Sequence, residues 1–94
     1  MPINNTATQK EQRLISLQGL VQGIGFRPFV FRLAKQHQQL GYVTNSYSGV
    51  TLVIQGLATQ QQQFLTDLQE KLPPLADIQQ LTIQTQALSI FNDF

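Results

Sequence analysis

The chain has 94 residues, of which 41% are hydrophobic and 12% charged, with a net charge of +1 at pH 7. That describes one small domain, able to bury roughly 60–65% of the surface its unfolded form exposes. Cysteine is absent, which excludes disulfides and thiolate metal sites within the chain. There is no run of about 18 apolar residues to span a bilayer and no basic stripe of the kind a nucleic-acid surface carries, so neither a membrane nor a nucleic acid is an expected partner.

Residues 1–12 are polar, without periodicity or an apolar signal core. They read as a disordered leader, and a cytoplasmic location is expected. Residues 13–21 alternate, with Ile15, Leu17, Gly19 and Val21 on one face, which predicts a first strand. The period then changes: Phe26, Phe29, Val30, Leu33, His37 and Leu40 recur at three- and four-residue spacing. That predicts a helix over 26–40 with Gly41 as its C-cap. A short strand over 42–45, the turn Ser46-Tyr47-Ser48-Gly49 and a β-branched strand over 50–55 make a hairpin, which Gly56 is expected to break. Thr59 and Gln62 have capping-box spacing ahead of a second helix, whose inner side carries Phe64, Leu65, Leu68 and Leu72 before Pro73-Pro74 stops it. Residues 78–85 alternate as a fourth strand, and 88–94 could add a short edge strand. The many glutamines fall on polar faces and read as neutral solvated surface.

The order βαββαβ is the ferredoxin-like arrangement, an α+β sandwich with an antiparallel sheet and both helices on one face. In it the first two strands run parallel, separated by the third. The loop after strand one and the end of strand two therefore share one end of the sheet, where Arg27 and Asn45 could meet a common ligand. The fold itself decides no function.

Chemistry concentrates in the loop Val21-Gln22-Gly23-Ile24-Gly25-Phe26-Arg27-Pro28. Glycines at 23 and 25 allow backbone angles closed to other residues, so several N–H groups can turn inward around an anion. The helix beginning at Phe26 aims its positive end at the same spot. Arg27 supplies a permanent cation with a planar fork of donors suited to phosphate or carboxylate. Pro28 needs no N–H partner in a first turn. The expected phosphate-binding set is thus Gln22, Gly23, Ile24, Gly25, Phe26 and Arg27. The glycines lack the third member of a dinucleotide fingerprint and no Gly-Lys-Ser/Thr follows, which removes the P-loop. His37, on the inner face of the first helix, reads as a partly buried structural residue. Phe26, Phe29, Phe64 and Leu68 read as core.

Gly19-Leu20-Val21-Gln22-Gly23-Ile24-Gly25-Phe26-Arg27 resembles the signature of the acylphosphatase family, and Gly41-Tyr42-Val43-Thr44-Asn45 with Gly49-Val50 resembles its second element. The likeness covers roughly residues 13–94. Arg27-Pro28-Phe29-Val30 and Pro73-Pro74-Leu75-Ala76-Asp77-Ile78 are similar to the N-terminal domain of HypF carbamoyltransferases, which serve nickel–iron hydrogenase maturation. The end at Asp93-Phe94 fits a domain taken from a longer chain with further domains downstream. The resemblance implies hydrolysis of a carboxyl-phosphate anhydride, carbamoyl phosphate first, with the carbamate passed on to be adenylated. It implies Arg27 and Asn45 as catalytic residues, Asn45 steering the attacking water, and needs no metal or cofactor. A free-standing acylphosphatase and a non-catalytic anion-binding or docking module remain as alternatives.

Overall fold

The computed structural model describes residues 9–23 and 25–94. Its elements follow the order β1 (Lys10–Leu20), α1 (Phe26–Gln36), β2 (Leu40–Asn45), β3 (Gly49–Leu57), α2 (Ala58–Glu70) and β4 (Asp77–Gln86). The strands form one sheet in the order β2-β3-β1-β4, with every neighbouring pair antiparallel. This is the expected βαββαβ sandwich. The run Val50–Ile54 lies between β2 and β1, as its β-branched character requires of an interior strand.

One face of the sheet meets both helices. Ile15 pairs with Leu52 and Leu17 with Val50 across β1 and β3, so these four form adjacent rows on the same side. They join Phe26, Phe29, Val30 and Leu33 of α1 and Phe64, Leu65 and Leu68 of α2 in one core. Full burial of each such side chain contributes about 1.5–3 kcal/mol before entropy is counted. β4 lies at an edge, and its register against β1 shifts between Gln18 and Gly19. The bulge lets Ile78 and Leu81, an odd number of positions apart, both reach the core.

Local chemistry overrode several sequence readings. α1 stops at Gln36, not Leu40. Gln38 takes the left-handed φ of 58°, while its N–H donates to Lys35 O at 3.3 Å and that of Gln39 donates to Ala34 O at 2.8 Å. Those two bonds are a Schellman closure with glutamine where glycine is usual. Gly41 is instead a strand residue: at φ 133° a Cβ there would stand 2.0 Å from Val53 O, so the close approach of β2 to β3 is what demands glycine. Gly56 does not end β3, which runs on to Leu57. The Thr59–Gln62 capping box does not form as such, because the N-cap is Leu57 and Thr59 lies in the first turn. The N–H of Ala58 donates to Gln9 O at 3.0 Å, so backbone leading into β1 caps α2.

The expected leader over 1–12 falls mostly outside the described residues, and Lys10 to Gln12 already belong to β1. Residues 88–94 form no strand; they make a strap. Ser89 N–H donates to Gln55 Oε1 at 2.8 Å and Gln55 Nε2 donates to Ser89 O at 3.0 Å, on the face away from the helices by strand alternation. Phe91 then meets Tyr42 edge-on, Gly41 N–H donates to Asp93 O at 3.1 Å, and Phe94 reaches Phe31 on α1. The segment crosses the sheet face and rounds the free edge of β2. Anchoring by side chains and one edge bond replaces a ladder.

Candidate functional site

The glycine loop sits where β1 gives way to α1. Gly23 has φ 70° and Gly25 φ 80°, and a Cβ on either would meet nothing within 4 Å. Backbone conformation, not crowding, is therefore the reason for glycine at both. Gly25 is the N-cap of α1, in the left-handed region at ψ 13°. Its carbonyl accepts the N–H of Phe29 at 3.1 Å, but it has no side chain to cap the first turn. The N–H groups of Phe26 and Arg27 are left without partners inside the helix, and Pro28 has none to offer. No acidic residue lies in that first turn to offset the dipole.

Arg27 follows at this positive end. Its side chain is exposed, and among the described residues it has no ion-pair or hydrogen-bond partner. A cation at a helix N-terminus opposes the dipole by roughly 0.3–1 kcal/mol. The arrangement costs stability unless an anion sits between the two.

Asn45 arrives from the other side. It ends β2 and pairs with Val50, which pairs with Leu17, so Asn45 belongs to a core-face row on the same side as α1. Its amide likewise has no partner among the described residues. Val21, Gly23, Gly25, Phe26, Arg27, Pro28 and Asn45 line one cavity of about 280 Å³. The structure thus brings together Arg27, Asn45 and both glycines of the expected set. Ile24 lies outside the described residues. A second, more apolar depression of about 480 Å³ shares Arg27 and Pro28 with the first and adds Phe31, Arg32 and Val43.

Gln22 does something the sequence reading did not foresee. Its side-chain Nε2 donates to Ser46 O at 3.0 Å and to Gly49 O at 2.5 Å, the two ends of the β2–β3 turn. The turn itself is closed by Ser46 N–H donating to Gly49 O at 2.9 Å. The only available signal was a long neutral amide inside a glycine-rich loop, and that identifies no acceptor.

His37 is a structural residue. Its Nε2 pairs with Asp67 Oδ2 at 2.8 Å and its ring stands edge-on to Phe64, joining the end of α1 to α2. The hydrogen bond from His37 holds the Asp67 carboxyl below its ordinary value of 3.8; the nearby Lys71 acts in the same direction and partial burial opposes them. No group of His, Asp or Glu with metal-site geometry occurs among the described residues, and no helix among them is long and apolar enough to cross a membrane.

The family model for acylphosphatase matches residues 14–94. The chain belongs to the acylphosphatase family. The domain is 34% identical over 84 residues to an acylphosphatase of Actinobacillus succinogenes, spanning 88% of this chain and 93% of that protein. It is also 42% identical over 81 residues to a probable carbamoyltransferase HypF of Methanocaldococcus jannaschii, spanning 85% of this chain but 11% of that protein. The chain therefore spans about a tenth of the length of the HypF relatives it matches. Among solved structures, a full-length HypF in a phosphate- and nucleotide-bound form superposes with a TM-score of 0.88 at 32% identity, over 92% of this chain and 11% of that one. An acylphosphatase from Coxiella burnetii superposes at 0.84 with 25% identity, over 98% and 97% of the two chains. The acylphosphatase domain thus has relatives of two kinds, free-standing acylphosphatases and HypF carbamoyltransferases.

Proposed function

We propose that this acylphosphatase domain hydrolyses acyl phosphates in the cavity between the glycine loop and the end of β2. Carbamoyl phosphate is the first substrate, and the setting is a HypF-type carbamoyltransferase of hydrogenase maturation. The observation that carries the reading is the meeting, on the walls of one cavity, of an open helix mouth with a guanidinium and an amide that have no partner among the described residues.

The phosphoryl group occupies the loop. Its oxygens accept from the backbone N–H groups of residues 22–26 and from the Arg27 fork, which neutralises the charge at the point of transfer. Phosphoryl transfer asks the protein for positioning and charge stabilisation more than for covalent chemistry. Asn45 holds water through its amide for in-line attack on phosphorus. The P–O bond to the acyl oxygen breaks, the carboxylate or carbamate leaves with the bonding pair, and the water's proton passes to a phosphate oxygen. Among the described residues no His, Asp or Glu lines the cavity, and in this scheme the substrate's own phosphate is the proton acceptor. The carbamate then serves downstream domains of the parent protein, where it is adenylated. The domain unit in this scheme runs from the start of β1 at Lys10 to Phe94.

The HypF setting is favoured by the relatives matched over about a tenth of their length. The free-standing alternative is favoured by the relative matched over 93% of its own. The test measures phosphate release from carbamoyl phosphate and from benzoyl phosphate, for the domain and for Asn45→Ala. Carbamoyl-selective turnover supports the HypF assignment, and equal turnover of both supports a general acylphosphatase. In either case Asn45→Ala is expected to lower kcat by on the order of 10²-fold. Phosphate binding without turnover of either substrate reduces the domain to an anion-binding or docking module.

A further inference from the structure

The site is assembled from two pieces that share no strand pairing. The glycine loop belongs to the β1–α1 connection, whereas Asn45 stands at the mouth of the β2–β3 turn. β1 and β2 are not neighbours in the sheet, since β3 separates them. The backbone ladder therefore fixes Asn45 against Val50 and fixes Leu17 against Val50, but it ends before the loop. Between the loop and the turn, the Gln22 side chain supplies two hydrogen bonds among the described residues, one to Ser46 O and one to Gly49 O. Both protons of one amide are used, and the two acceptors bracket the turn from either end. A single-donor side chain at this position could hold one of them only. The bonded residues adjoin the functional ones directly: Ser46 follows Asn45, and Gln22 precedes Gly23.

The structure assigns Gln22 as a positioning residue that staples the phosphate loop to the Asn45 turn, so that the seat of the phosphoryl group and the seat of the water keep a fixed separation. This rests on the proposed hydrolysis and adds to it. Gln22 contributes its backbone N–H to the anion loop, while its side chain faces away from the substrate and acts through Asn45. In-line attack is sensitive to misplacement on the scale of an ångström. Loss of the staple should thus appear in the rate of the chemical step. It should scarcely appear in phosphate affinity, because the loop amides and Arg27 remain.

The proposal is tested with Gln22→Ala and Gln22→Glu, each alone and combined with Asn45→Ala, on benzoyl phosphate. Gln22→Ala is expected to lower kcat by roughly 10- to 100-fold, while the inhibition constant of inorganic phosphate changes by less than about threefold and the thermal midpoint moves little, since Gln22 itself is exposed and lies outside the core. Gln22→Glu, which turns an acceptor toward two carbonyls, is expected to be the slower of the two. In the Asn45→Ala background the Gln22 effect should vanish, because the group it positions is gone. Effects that simply multiply, or a kcat that Gln22→Ala leaves intact, overturn the assignment. Amide hydrogen exchange gives a reading independent of turnover. Exchange at residues 22–25 and 46–49 should quicken together in Gln22→Ala, by on the order of tenfold, and unchanged exchange in either segment overturns the staple. A wild-type domain inert toward acyl phosphates would remove the hydrolytic function while leaving the exchange result to decide the staple.

Discussion

The two ends of the sheet treat polar groups in opposite ways. At the end holding the β1–α1 loop, Arg27 and Asn45 point no hydrogen bond at another described residue, and two glycines occupy left-handed backbone. At the far end the amide donors are consumed internally, although Gln61 Oε1 is buried with no hydrogen-bond partner among the described residues. Gln61, fully buried, donates through Nε2 to Glu11 O at 3.1 Å and Gln39 Oε1 at 3.0 Å. Gln39 Nε2 donates in turn to His37 O at 3.0 Å, and His37 holds Asp67. Both ends are rich in hydrogen-bonding groups, so polarity alone separates nothing. What distinguishes Arg27 and Asn45 from Gln61, Gln39 and His37 is that the side chains of the latter three already hold partners among the described residues. Satisfied, they bind α1, α2 and the sheet together; unsatisfied at a helix mouth, they await a ligand.

Three substitutions bear on that contrast. The largest effect is expected from Arg27→Ala. Two charge-assisted bonds of roughly 1.5–3 kcal/mol each amount to about 3–6 kcal/mol, or on the order of 10²–10⁴ in kcat/KM. Stability should move the other way, rising by about 0.3–1 kcal/mol as the cation leaves the helix N-terminus. Urea titration beside calorimetric phosphate binding reads both, and a protein that loses stability while keeping phosphate would erase the contrast. Next comes Gln61→Ala at the far end. It strands the buried acceptor Gln39 Oε1 at about 1–3 kcal/mol, so the urea midpoint should fall while kcat holds. The smallest effect belongs to Asp67→Asn and depends on pH. A carboxyl whose folded value lies below its unfolded 3.8 adds stability that is complete above 3.8 and drains away as pH falls through the lower folded value. Unfolding midpoints collected down the acid limb should decline less steeply below pH 3.8 in Asp67→Asn than in the wild type. Parallel declines would remove Asp67 from the set of satisfied groups.

The architecture was legible because periodicity carried it. Ile15 and Leu17 alternate, Phe26 to Leu33 follow helical spacing, and each pattern buried the face it named. The loop glycines and Arg27 were legible because positive φ and a permanent cation leave little choice of residue. Boundaries were less readable. Gly41 resembled a helix cap, yet a close strand approach and a helix cap both call for glycine, and Gln38 showed that a left-handed cap can form without one. Thr59 and Gln62 had the right spacing for a cap, but the backbone of Gln9 arrived first. The apolar residues of 88–94 suggested a strand, and nothing local reveals that Gln55 lies ready to hold Ser89 from the other face. The Gln22 bridge was hidden for a like reason: its acceptors lie 24 and 27 positions away and are carbonyls, which every residue has.

The strap over residues 88–94 has a mechanical meaning. It departs from β4 at one margin of the sheet and is fastened at β2 on the other, with Phe94 tucked beside α1. Tension applied at the C-terminus would meet Phe94 and the Asp93–Gly41 bond first, peeling them one at a time like the stitches of a seam. Only after those gave way would the load reach β4, entering its ladder to β1 at the Gln12–Gln86 end.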